Sequence, residues 1–320
     1  MLLLGAAGSS GRFVARELAD RGLSVILAGR RPEPLAAPAG ELSASGVEVD
    51  SVAVDVTDAV QIRDAAARVR LVVTTVGPFV RFGAPVLDAC LDVEVNYVDI
   101  ANELMAVRAV LERDAQARTR GITAVTGAGF GPGGSESLVL DLVEELGETP
   151  DLVRVATAPA KGKASPGVQE TVALLMPEGA ITYAGGSLVR APLGIGAAVL
   201  EFGGVRRSML PVPAGDLEVA RLASGAANVS AYFADPAQRV DDDGFSYAYA
   251  EVVAGSGRRL AVQARVGDGL RAGAAYAAEV ARRVLAGTSA GAFTPGMLFG
   301  KDLFAAVTGA TRASVSTGPA

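Results

Sequence analysis

The 320-residue chain contains no histidine. That absence removes the usual general base at neutral pH and the commonest zinc ligand, and it excludes Ser-His-Asp and Cys-His catalytic arrangements. No metal site is expected. The single cysteine, Cys90, excludes an intramolecular disulfide and fits a reducing compartment. It stands in an apolar, helix-like stretch, Pro85-Val-Leu-Asp-Ala-Cys90, and reads as core filler rather than as a nucleophile. No apolar run reaches the length that crosses a bilayer. The opening Met1-Leu-Leu-Leu meets Gly5 at once and lacks the basic start of a signal peptide. A cytoplasmic protein without a membrane partner is expected. No basic stripe is present, and with a net charge of −6 nucleic acid is not the expected partner.

What is present is ample core material: half of the residues are hydrophobic. The length suggests two domains, or one α/β domain with an insertion. Short apolar runs at 2–4, 24–28, 47–54, 71–75, 95–98 and 122–125 read as buried parallel strands. Helix-like stretches near 11–21, 58–68, 84–92 and 102–119 separate them. This alternation predicts an α/β fold, with an N-terminal Rossmann doubly wound parallel sheet over 1–127. The Gly-dense segment 126–134 marks a boundary and a backbone lining a ligand, with a helix over 134–146. From 151 to 267 the runs at 152–156, 247–253 and 260–266 alternate, as half-exposed strands do. They predict a second α+β substrate or oligomerisation domain over 128–267, of mixed or antiparallel sheet, which could pair across a homodimer. Residues 271–286 carry a strong amphipathic helix pattern, and helices from 268–320 are expected to complete the first domain. The tail after Arg312 reads as loose.

The strongest local signal is Gly5-Ala-Ala-Gly8-Ser9-Ser10-Gly11. It follows an apolar strand and opens a helix. Glycines there let the backbone turn tightly and approach a pyrophosphate, and the helix N-terminus offers free N–H groups and a positive dipole end. A site selective for NAD places an acid at the end of the second strand; this chain has Arg30 and Arg31. Paired guanidinium groups suit a 2′-phosphate, so NADP(H) is the expected cofactor, with Arg12 adding charge nearby. Asp55 after the third strand is placed at the adenine edge, and Asp58 serves equally well as a helix N-cap. Val76-Gly77-Pro78-Phe79 follows the fourth strand, at the edge that faces a cofactor.

These pieces together resemble the saccharopine dehydrogenase-like NADP-binding reductases, a group that includes trans-acting enoyl reductases. The resemblance rests on Gly5–Gly11, on Val76-Gly-Pro-Phe-Val-Arg-Phe-Gly83, on Ala89-Cys90, and on Asn96-Tyr97-Val98-Asp99-Ile100-Ala-Asn-Glu103. Gly129-Phe130 with Ser135, Pro213-Ala-Gly-Asp216 and Phe293-Thr-Pro-Gly-Met-Leu-Phe-Gly300 resemble later landmarks. Four positions depart from the group's pattern: Asn96 stands for a frequent His, Asn102 for a Gly, Gly131 for an Asp, and Gly134-Ser135-Glu136 for Pro-Ser-Asp. The cofactor half is kept and the substrate-facing half has drifted. The resemblance implies the NADP fold more firmly than any one reaction.

Without histidine, proton donors must come from Tyr, Lys, Arg, Asp or Glu. Tyr97, Asp99 and Glu103 lie at the end of a strand on the catalytic edge, and Arg81 follows the Gly-Pro-Phe turn, where it could grip a carbonyl or carboxylate. Each also has a structural role open to it: a buried tyrosine, a helix cap, a solvated arginine. Lys161 and Lys163, Tyr183 and Glu170 are weaker candidates. The leading expectation is an NADP(H)-dependent oxidoreductase reducing a carbonyl, enoyl or imine group in a small or polyketide/lipid-like substrate. The apolar content of 166–210 favours a largely apolar substrate. Two alternatives stay open: a non-redox cyclase or isomerase of secondary metabolism that retains the fold, and an NADP-binding sensor or interaction protein without turnover.

Overall fold

A computed structural model of the chain describes residues 1–47, 49–160, 166–235 and 243–315. The first stretch alternates strand and helix: β1 (Leu2–Leu4), α1 (Ser9–Asp20), β2 (Ile26–Gly29), α2 (Ala36–Ser43), β3 (Asp50–Ala53), α3 (Ala59–Ala66), β4 (Leu71–Thr74), α4 (Phe79–Asp92), β5 (Asn96–Asp99), α5 (Leu104–Leu111), α6 (Asp114–Arg120) and β6 (Thr123–Val125). There follow α7 (Phe130–Leu146), β7 (Leu152–Ala158), α8 (Pro166–Leu175), β8 (Ala180–Ala184), β9 (Ser187–Ala191), β10 (Ala198–Phe202), β11 (Val205–Pro211), α9 (Gly215–Ser224), β12 (Asn228–Ala234), β13 (Ser246–Val253) and β14 (Arg259–Val266). The chain closes with α10 (Gly269–Ala286), β15 (Gly291–Phe293), α11 (Pro295–Phe299), α12 (Asp302–Thr308) and β16 (Thr311–Ser314).

The chain divides into two compact units. The first takes residues 1–101, 106–129 and 273–298, and the second takes 102–105, 130–272 and 299–320. In the first unit the strands form a parallel sheet in the order β15-β6-β5-β4-β1-β2-β3. Leu2, Leu3 and Leu4 are fully buried between β2 and β4, as expected of a central strand covered on both faces. Helix α1 buries Val14, Ala15, Leu18 and Ala19, one face of a helical repeat. Cys90 is enclosed in the core with Val72, Val86, Leu87 and Tyr97, and burial pushes its thiol pKa up, which leaves it unreactive. The chain runs outward from β1 through β2 to β3, then returns to the other side of β1 at β4. The carboxyl ends of β1 and β4 therefore flank the topological switch point, where open α/β sheets bind their ligands.

The second unit is built on a mixed sheet. β12 and β7 are parallel, while β10–β11, β11–β12, β7–β13, β13–β14 and β14–β16 are antiparallel. Helices α7 and α9 supply one core with it through Leu138, Val139, Leu142, Leu217 and Ala220. A second cluster gathers Ala156, Phe202, Met209, Tyr232, Tyr247 and Tyr249.

Some sequence expectations differ from the structure. The stretch expected as one helix over 102–119 is two, α5 and α6, with a break at 112–113. Residues 299–320 group with the second unit instead of completing the first, because β16 pairs with β14. For the same reason the tail after Arg312 is not loose at its start. The Gly-dense 126–134 segment is a loop only in part: Gly131, Gly133 and Gly134 lie in the first turns of α7. Lys161 and Lys163 lie outside the described residues.

Candidate functional site

The switch point of the first unit is built from backbone. After β1 the chain turns at Gly5, whose φ of +82° suits glycine. The Gly5 and Ala6 N–H groups donate to Ala28 O at 3.0 and 3.2 Å, and Gly8 N–H donates to Gly5 O at 2.9 Å. Those bonds fold residues 5–8 into a tight loop against β2. Helix α1 then begins at Ser9 with Gly8 as its N-cap, and no side chain caps it. The N–H groups of the first turn are thus left for an external acceptor, with the dipole's positive end behind them. Gly8 and Ser9 are exposed and Ser10 is half-buried, so that acceptor can approach.

The three glycines have different physical reasons. A Cβ at Gly11 would lie 2.0 Å from Gly5 O, so Gly11 serves the close passage of helix over loop. A Cβ at Gly5 would lie 2.7 Å from Thr75 Oγ1 and 2.9 Å from Val76 Cγ2. A Cβ at Gly8 would meet only Gly5 O, at 3.2 Å. Gly8 is thus the least crowded of the three, with one tight contact to a backbone oxygen.

The other cofactor candidates surround this loop. Arg30 and Arg31 follow β2 and are exposed. Arg12 is exposed in the first turn of α1, with its guanidinium 3.7 Å from Glu41. Asp55 is held by Thr57, whose N–H and hydroxyl donate to Oδ1 at 2.9 and 2.8 Å. Those bonds, followed by the charge of Arg30, hold its carboxyl below the usual range. Asp58 caps α3, accepting from Val60 and Gln61 N–H. Val76, Gly77, Pro78 and Phe79 follow β4, with a cis peptide before Pro78, and α4 opens there without a side-chain cap. Thr75, which sequence reading passed over, ties the two strand ends together: its N–H and hydroxyl both donate to Leu4 O. A short polar residue one step past a buried strand was the available signal.

Of the residues expected to do chemistry, three lie in the first unit and Glu103 groups with the second. Tyr97 and Asp99 form a pair in the first unit, with the Tyr97 hydroxyl donating to Asp99 Oδ2 at 2.8 Å. Both are buried, at 0 % and 1 % exposure. Asp99 Oδ1 accepts from Ala101 N–H, Thr126 Oγ1 and Gly127 N–H at 2.9–3.0 Å. Burial raises its pKa while these bonds pull it down. The Tyr97 hydroxyl is driven well above its ordinary value by burial and by the neighbouring Asp99. Arg81 is exposed in the first turn of α4. Glu103 groups with the second unit and accepts from the Thr171 hydroxyl at 3.1 Å. Asn96 has a structural use, accepting from Thr123 N–H at 2.8 Å across the sheet. Among the described residues no cluster of carboxylates and thiols is placed to hold a metal ion, and no helix is long and apolar enough to cross a membrane.

This geometry agrees with comparison. Residues 1–125 match the family model of the saccharopine dehydrogenase NADP binding domain. That stretch is similar to this domain family. Its loop at Gly5–Gly11, with an uncapped α1 and two arginines after β2, fits the cofactor for which the domain family is named. Trans-acting enoyl reductases are among the curated relatives: the protein of Mycobacterium ulcerans is 32% identical over 133 residues, and that of Mycobacterium leprae 31%. In both cases the match covers 41% of this chain and 32% of the relative, so it spans about a third of the relatives' length. Over 98% of the chain, the saccharopine dehydrogenase-type architecture extends to the apo saccharopine dehydrogenase (L-Glu forming) of Saccharomyces cerevisiae, with a TM-score of 0.70 at 13% identity, covering 99% of that chain. That likeness is one of fold.

Proposed function

We propose that the protein is an NADP(H)-dependent oxidoreductase that reduces a carbonyl, enoyl or imine group in a small, largely apolar, polyketide- or lipid-like substrate. The observation that carries this reading is the exposed, uncapped N-terminus of α1 behind Gly8, with Arg30 and Arg31 at the end of the neighbouring strand. The N–H groups of Ser9, Ser10 and Gly11 would hold the pyrophosphate, and Arg30 and Arg31, with Arg12, the 2′-phosphate. Asp55 and the Val76–Phe79 turn would line the rest of the dinucleotide. When bound, the nicotinamide supplies a hydride; the chain's own task is to orient it and exclude water. Val189, Leu193, Ile195 and Val199 are exposed apolar residues of the second unit, and they support an apolar substrate or a second copy of the chain on that side.

Replacing Arg30 and Arg31 together by alanine is expected to weaken NADPH roughly 10- to 100-fold, in line with charge-assisted bonds to phosphate, and to leave NADH nearly unchanged. Calorimetry on both cofactors measures it; equal losses would remove the 2′-phosphate assignment. Reductase activity itself is tested by NADPH oxidation at 340 nm across enoyl thioesters, ketones and imines.

A second reading, a non-redox cyclase or isomerase, draws on one observation: Tyr97 and Asp99 are enclosed and bonded to each other, so neither offers a free proton at the surface of the first unit. Product formed without NADPH oxidation would favour it.

A further inference from the structure

Two threonines stand at the end of β4, and their hydroxyls serve different parts of the switch point. Thr74, the last residue of the strand, is buried, and its Oγ1 accepts from Val76 N–H at 3.3 Å, within the turn that follows its own strand. Thr75, half-buried, reaches across to β1 instead. Its N–H donates to Leu4 O at 3.0 Å. Its hydroxyl lies within reach of two successive carbonyls, Leu4 O at 3.1 Å and Gly5 O at 3.3 Å. The N–H bond continues the pairing of β4 with β1, in which Thr74 lies beside Leu4. It is a backbone bond that valine would make equally well, and valine suits a strand end. The sheet therefore does not require the hydroxyl. What the hydroxyl adds concerns the loop after β1.

The peptide between Gly5 and Ala6 is the centre of that loop. Its N–H, on Ala6, donates to Ala28 O of β2 at 3.2 Å. Its oxygen, on Gly5, accepts from Gly8 N–H at 2.9 Å and faces the Thr75 hydroxyl of the β4 end. One peptide is thus braced between the two strands that flank β1. The brace has a use, because Gly5 sits at φ +82° with no side chain to hold the peptide in one orientation. A carbonyl oxygen turned toward a bound pyrophosphate would repel it, whereas N–H groups attract it. Glycine at 5 also makes the contact possible, since a Cβ there would stand 2.7 Å from Thr75 Oγ1.

We propose that the Thr75 hydroxyl is a positioning group for the dinucleotide. It fixes the orientation of the 5–6 peptide from the neighbouring strand, so that the loop and the first-turn N–H groups of α1 meet the pyrophosphate already arranged. A loop held in its bound form loses less freedom on binding, and the gain appears as affinity. The inference rests on the dinucleotide reading of this loop and adds to it a residue about seventy positions away in sequence. The pyrophosphate is common to NADPH and NADH, so the effect of Thr75 falls on both alike.

Thr75→Val keeps the branched shape and removes the hydroxyl, while Thr75→Ser keeps the hydroxyl and removes the methyl. Calorimetry with NADPH and with NADH, beside thermal melting, compares both variants with the unaltered full chain. Thr75→Val is expected to weaken the two dinucleotides by the same factor, roughly 5- to 10-fold, the worth of one hydrogen bond, and Thr75→Ser to bind as the unaltered chain does. Equal losses separate Thr75 from Arg30 and Arg31, whose removal falls on NADPH. A hydroxyl that served the fold alone would lower the Tm of Thr75→Val and leave the affinity of the folded protein unchanged. That outcome overturns the proposal, as does a loss confined to one dinucleotide or a Thr75→Ser protein as weak as Thr75→Val. If Thr75→Val does not fold, Thr75→Ala against Thr75→Ser makes the same comparison. An unaltered chain that binds neither dinucleotide overturns the dinucleotide reading and this inference together; normal binding by both the unaltered chain and Thr75→Val overturns this inference alone.

Discussion

Gly8→Val is expected to abolish NADPH binding, with a loss of about 100-fold or more, roughly 3 kcal/mol, while the fold is retained. The argument rests on what each glycine of the loop faces. At Gly8 the backbone has φ −74° and ψ 168°, ordinary values for any residue. An added Cβ meets one backbone oxygen at 3.2 Å and nothing else within 4 Å. That contact needs a shift of a few tenths of an ångström, against more than an ångström at Gly11, so a side chain there strains the loop far less. The branched side chain would stand over the first-turn N–H groups of α1, where a pyrophosphate must come close. Gly11→Ala should behave in the opposite way. Its Cβ would fall 2.0 Å from Gly5 O, a backbone atom that cannot move aside without undoing the loop. Thermal melting and calorimetry on the two variants separate the effects: lost binding with an unchanged Tm at 8, a lowered Tm at 11. A Gly8→Val protein that folds and still binds NADPH normally would place the dinucleotide elsewhere.

Much of this loop was legible in the sequence, because its cause is local. An apolar triplet, a glycine turn and an amphipathic helix can each be read within twenty residues. The same is true of Cys90, whose apolar neighbours announced its burial. What escaped reading depends on contacts between distant residues. Gly131 suggests a loop by helix propensity, yet α7 begins at Phe130, ahead of the helix read from 134, and takes in both Gly131 and Gly134. At Gly134 the reason is packing, since a Cβ there would sit 3.0 Å from the Ala248 Cβ of β13. Strand β16 is exposed at every residue, so no apolar alternation marks it; its pairing with β14 is what takes 299–320 into the second unit. The division of Tyr97 and Asp99 from Glu103 was equally hidden. Seven residues of sequence hold all three, but the chain passes from one unit to the other between 101 and 102.

The fate of Asp99 yields the largest expected change in stability. Its carboxylate takes four donors, from Tyr97, Ala101, Thr126 and Gly127, and joins the end of β5 to the loop after β6. Asp99→Ala leaves those donors in a site from which water is excluded. Each unmet buried donor costs about 1–3 kcal/mol, and relaxation keeps the sum below simple addition, so a loss of roughly 4 kcal/mol is expected. Asp99→Asn should cost far less. Its carboxamide oxygen can keep the three donors on the Oδ1 side, and its NH2 can donate to the Tyr97 hydroxyl, which turns from donor to acceptor. Tyr97→Phe removes a charge-assisted bond from the carboxylate but only a neutral one from the carboxamide, so Tyr97→Phe combined with Asp99→Asn should cost less than the sum of the single changes. Chemical denaturation of the four proteins gives the coupling directly. A destabilisation of Asp99→Ala below about 1 kcal/mol would be too small for four lost bonds and would show that this pair is not a strut. If the stabilities follow the expected order while turnover per folded molecule stays constant with an identified substrate, Tyr97 and Asp99 position the edge of the sheet and the proton comes from another group.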